Sequence, residues 1–199
     1  MNIDRSDLLL ILLWGCGAYC LGWALCCLHR QKRLPLLTVR SAAWLVFSIY
    51  AAALFYLTGM LDFLRNPLVV HRANIFTGFD LTPFRGHVYK PIVQNYLLFL
   101  PLGFLVPSVT PKRRWNLPKI VLLGFCVSLC IELLQGFIGR LQEVDDLLMN
   151  TAGAAAGFAV WAALFRRELK IWQRLLILAV TAVLTYAMLS GIARLCAMR

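Results

Sequence analysis

A short stretch of an otherwise apolar chain, SLCIELLQGFIGRLQEVDDLLMNTAGAAAG from Ser128 to Gly157, carries Glu132, Gln135, Arg140, Glu143, Asp145, Asp146 and Asn150. Carboxyl groups in such a setting can act as a general acid or base, hold a hard cation such as Mg²⁺, or accept hydrogen bonds from a bound ligand. Arg140 adds a planar fork of donors suited to carboxylates and phosphates. Glu132 is the most telling of them. An uncompensated charge inside a bilayer costs about 2.5–3.5 kcal/mol on insertion scales, so it must face protein, a partner or water. On a helix, Gln135 at i+3 and Arg140 at i+8 share its side and offer it internal partners. The candidate acids and bases are thus Glu132, Asp145 and Asp146. The candidate ligand-binding set is Glu132, Gln135, Arg140, Asp146 and Asn150, joined from an earlier segment by Asp80, Arg85 and Asn95. No cofactor motif and no established metal spacing accompanies them.

The elements that must position these residues are membrane spans. Of 199 residues, 61% are hydrophobic and 15% charged, a composition foreign to water-soluble domains. A spanning helix needs about 20 apolar residues. Six stretches approach this: Leu8 to Leu28, Ala42 to Leu61, Ile92 to Val109, Pro118 to Ile138, Leu147 to Phe165 and Leu175 to Leu195. Pro101 and Pro107 predict a third span that is kinked or partly re-entrant. The expected fold is therefore an all-α polytopic bundle of about six spans, or five if the third does not cross, forming a single membrane domain over residues 1–199. The hydrophobic start differs from a signal peptide in its acidic Asp4 and Asp7 and its length, so it reads as a retained first span.

Orientation follows from basic loops, which stay on the cytoplasmic side. Arg30, Lys32, Arg33 and Arg40 follow span one. Lys112, Arg113, Arg114 and Lys119 follow span three, and Arg166, Arg167, Lys170 and Arg174 follow span five. These three loops face inward on this reading, so both termini and the acidic linker after span four face outward. The net charge of +11 is accounted for by these clusters, which argues against nucleic acid as a partner. The seven cysteines, odd in number and mostly within apolar runs, read as small buried thiols.

Asp146, Asn150, Gly153 and Gly157 fall at i, i+4, i+7 and i+11, one stripe that is polar near the outside and small deeper in. The Gly153–Gly157 spacing permits close approach of another helix and marks a packing seam. The short linker makes spans four and five antiparallel neighbours, placing Glu132 near the depth of Asn150, with Gln94 and Asn95 entering from the same side. A polar cluster opening toward one leaflet results.

The stretch NYLLFLPLGFLVP from Asn95, followed by IELLQGFIGRLQEVDDLLMNTAGAAAG, resembles the VanZ-like membrane proteins, a family named for an accessory teicoplanin-resistance protein. The resemblance covers residues 80–157 and leaves spans one, two and six outside. It places the family positions on Asn95, Pro101, Gly103, Glu132, Gln135, Arg140, Asp145, Asp146, Asn150 and Gly153. DLTPF from Asp80 is similar to the family's Asn-Leu-Ile-Pro-Phe with Asp at the Asn position, and Glu143 stands where Asp is usual. The resemblance implies a multi-pass protein of the bacterial cell membrane that lowers susceptibility to teicoplanin-type lipoglycopeptides or binds a lipid-linked envelope precursor. A membrane enzyme using Glu132, Asp145 or Asp146 is the alternative, and a lipid flippase or transporter a further one. Capture is favoured over catalysis because no His enters the cluster and no Ser or Cys nucleophile is arranged with a base.

Overall fold

The computed structural model describes residues 4–30, 39–60, 79–84, 88–110, 115–137 and 142–197. Six helices account for most of them: α1 (Arg5–Arg30), α2 (Val39–Leu57), α3 (Tyr89–Val109), α4 (Leu117–Phe137), α5 (Val144–Phe165) and α6 (Ile171–Ala197). All but α2 are long and apolar enough to cross a membrane, and the apolar helical stretch of α2, Ser41–Leu57, is shorter. The span in question is thus the second, not the third. α3 continues as helix through Pro101 and Pro107, because a helix enclosed by neighbours tolerates the missing N–H groups.

Two compact units divide the chain, Met1–Leu61 and Asp62–Arg199. In the first, α1 lies against α2, and a Cβ on Gly15 would stand 2.5 Å from the Cα of Ile49. α2 closes with the Thr58 hydroxyl donating to the Leu54 carbonyl (2.8 Å) and Gly59 at φ 77°, a left-handed position that glycine adopts without a Cβ penalty.

The second unit holds α3 to α6. Local chemistry starts its helices: Pro91 and Pro118 stand in first turns, where no intrahelical N–H bond is lost, and the Asn116 side chain accepts the Lys119 N–H (3.1 Å). α3 and α5 run in the same direction in direct contact, and α4, between them in the chain, returns along α5. The two-residue strands β1 (Phe79–Asp80) and β2 (Gln142–Glu143) lead toward α3 and into α5, and they pair in parallel, Phe79 with Gln142 and Asp80 with Glu143. The sequence gives no sign of this short pairing.

α5 is the axis of the unit. A Cβ on Gly153 would stand 3.0 Å from the Tyr96 carbonyl carbon, and one on Gly157 2.9 Å from that of Leu100, with the carbonyl oxygens closer still. Reciprocally, a Cβ on Gly103 of α3 would overlap the Ala154 carbonyl. On α4, a Cβ on Gly124 would stand 2.7 Å from the Ala154 methyl. Through these glycines α5 packs principally against α3. Ile92, Tyr96 and Met149 join Ile192 and Cys196 of α6 in a buried cluster, and the Tyr96 hydroxyl meets that of Thr185 (2.6 Å). Half of the α5 span is buried, against 6% of the α6 span.

The expectation of buried thiols fails at four positions. Cys16, Cys20, Cys126 and Cys130 are exposed, and among the described cysteines Cys196 is buried. When the solvent is lipid a thiol gains little from burial, and here the tight interior is filled by Gly and Ala instead. The side chains of Cys26 and Cys27 lie outside the described residues.

Candidate functional site

Charge segregates along the second unit. Asp80, Glu132, Glu143, Asp145 and Asp146 gather at the end formed by the starts of α3 and α5 and the finish of α4, with Lys90 and Arg194 nearby on α3 and α6. Lys119, Arg166, Arg167, Lys170 and Arg174 lie at the opposite end, with Glu168 among them. There the basic side chains cap carbonyls. Arg174 donates to Arg166 O (3.0 Å) and Leu169 O (3.1 Å), and Arg166 lies over the Phe158 ring, 5.4 Å from its centroid, a favourable cation–π placement.

The acids at the other end hold backbone. Glu132 is 2% exposed, and its Oε2 accepts the N–H of Glu143 (3.2 Å). Since Glu143 is the N-cap of α5, this carboxyl also stands beside the positive end of that helix, which favours a negative group. Asp145 is fully buried, and both its oxygens accept the N–H of Phe84 (3.0 and 3.1 Å). Phe84 has φ 62°, a strained conformation for a residue with a side chain. Three contacts fix it there: Asp145 on its N–H, the Cys196 thiol on its carbonyl (3.5 Å), and its ring against the buried cluster. Asp80 Oδ1 accepts the Thr82 N–H (2.8 Å) and the Thr82 hydroxyl, an Asx-turn that Asn or Asp can form. That accounts for Asp where the family pattern has Asn.

One turn below Glu132 on α4, Ser128 is fully buried and accepts Nδ2 of Asn150 (2.9 Å). Asn150 therefore lies a turn deeper than Glu132. Gln135 is buried on α4, while Asn95 and Asp146 are half-buried. Arg85 and Arg140 lie outside the described residues, as do His71 and His87. Sequence reasoning missed Ser128 and Gln142, and placed Phe84 at this surface without a role. The i, i+4 spacing of Ser128 and Glu132 was a usable signal for the first. For Gln142, 2% exposed, the signal was Gly136, since a Cβ there would overlap the Gln142 amide. Among the described residues no group of three or more His, Cys, Asp or Glu converges as a metal site.

Asp145→Ala strips the Phe84 N–H of its acceptor, and a buried donor left unmet costs about 1–3 kcal/mol. Thermal unfolding of purified protein in nanodiscs should show this loss, with Asp145→Asn losing less because its amide oxygen still accepts. Equal stability of the alanine variant and the wild type would refute the clasp.

No curated protein and no solved structure matches the chain. The VanZ/LLP1 family matches it over residues 47–166, more than half of its length. The match takes in α3, α4, α5 and most of α2, so it reaches beyond the motif-bearing residues 80–157 at both ends. By that match, and by the residues at the acidic end, the chain belongs to the VanZ/LLP1 family of multi-pass membrane proteins.

Proposed function

We propose that the acidic end is a capture site on the outer face of the bacterial cell membrane for a ligand that joins a polar head to a lipid tail. A teicoplanin-type lipoglycopeptide or a lipid-linked envelope precursor fits this description. The observation that carries the reading is a juxtaposition. The half-buried Asp80, Glu143 and Asp146, tied in place by the buried Glu132 and Asp145, form a rim bordered by the exposed apolar side chains of Leu81, Val88, Leu133 and Leu148. A tail can lie along those side chains in lipid while the head meets the polar rim. Capture is favoured over chemistry because the Glu132 and Asp145 carboxyls are buried and accept backbone N–H groups, which holds the rim together.

The test is susceptibility of a sensitive Gram-positive host expressing the protein, with membrane levels checked by immunoblot. Protection against teicoplanin is expected, with vancomycin, which has no acyl tail, affected little. Equal protection against both drugs would remove the role given to the tail. No protection at normal protein level would remove the antibiotic and leave the envelope precursor to be tested by lipid co-purification.

A further inference from the structure

We infer that one water molecule is bound between α4 and α5, joined to Ser128 and Asn150. Both side chains are buried, at 0% and 3% exposure. Asn150 donates through Nδ2 to the Ser128 oxygen, 2.9 Å away. Its own Oδ1, also buried, meets no donor. Ser128, accepting from Asn150, gives its hydroxyl proton to no described residue.

Turning the amide over does not help. Ser128 then donates to the amide oxygen, and the two N–H bonds of Asn150 are left instead. One contact between these side chains cannot satisfy both in either orientation. A hydroxyl-sized molecule that accepts from one and donates to the other does, and buried water with two to four polar partners is the common solution. Asn150 is six residues into α5, about 9 Å below its first residue at 1.5 Å per residue, and Glu132 and Gln135 line α4 between it and the acidic end. The helices touch at Gly124, one turn beyond Ser128, which closes the path on the far side. The water site is independent of whatever ligand the rim takes, so the inference stands or falls apart from the capture reading.

Infrared spectra of the full-length protein in nanodiscs, recorded in water and in water enriched in ¹⁸O, test it. The wild type should show a sharp internal-water band that moves with the isotope, lost in Asn150→Leu and lost separately in Ser128→Ala. No isotope-sensitive band in the wild type, or a band kept in the variants, would overturn the site. If Asn150→Leu does not reach the membrane, Ser128→Ala decides alone, since it removes one small group.

Discussion

Gly157→Ala should abolish the assembled second unit. The new methyl would stand 2.9 Å from the Leu100 carbonyl carbon and 3.1 Å from the Phe104 nitrogen, with the Leu100 oxygen nearer than either. These are backbone atoms of a helix held by its own hydrogen bonds, so no rotamer change relieves the overlap and α3 must move bodily. Overpacking in a filled interior costs about 1–3 kcal/mol where side chains can give way, and a backbone clash lies at or beyond the top of that range. Gly153→Ala, against Tyr96, belongs in the same class. Gly17 and Gly22 of α1, where a Cβ would meet nothing within 4 Å, are the controls, and alanine there should leave the protein at wild-type levels. The readout is the fraction of membrane-extracted protein that elutes as a single folded species. Full recovery of Gly157→Ala would mean that α3 and α5 are further apart than described.

Glu132→Gln should keep the protein in the membrane and remove any protection the wild type confers. The amide oxygen of glutamine can still accept the Glu143 N–H, so the tie between α4 and the start of α5 persists. What disappears is the ionisable group beside the α5 N-terminus. Glu132→Leu removes the acceptor as well and should cost about 1–3 kcal/mol in addition, seen as a lower membrane level. The pair separates a functional carboxyl from a structural one. Normal protection by Glu132→Gln at normal protein level would reduce Glu132 to a tie.

The features read correctly in the sequence are those that periodicity and side-chain size determine. Gly153 and Gly157 announce a seam because only small residues at that spacing leave room for a second backbone. The spacing marks a face, but not which neighbour covers it, so α3 could not be named. Glu132 announced a burial problem. The sequence suggested Gln135 and Arg140 as its partners, since side chains are what a sequence displays; the structure adds a backbone N–H, that of Glu143, while Arg140 lies outside the described residues. Asp145 and Asp146 illustrate the same limit. The stripe with Asn150 drew attention to Asp146, while Asp145 is the fully buried one, turned toward a loop 61 residues away in the chain. Phe84 in a left-handed conformation had no local sign, because the cause is Asp145 and Cys196, not its neighbours.

The contrast between α5, half of whose span is buried, and α6, of whose span 6% is, bears on how the chain is made. A helix that presents Asp145, Asp146 and Asn150 to the translocon gains little from lipid until α3 and α4 are present to cover them. α6 needs no such help and can leave for the bilayer by itself. α5 should therefore stay at the translocon in a ribosome-bound chain that lacks α3, whereas α6 should release into lipid whether or not α3 is present.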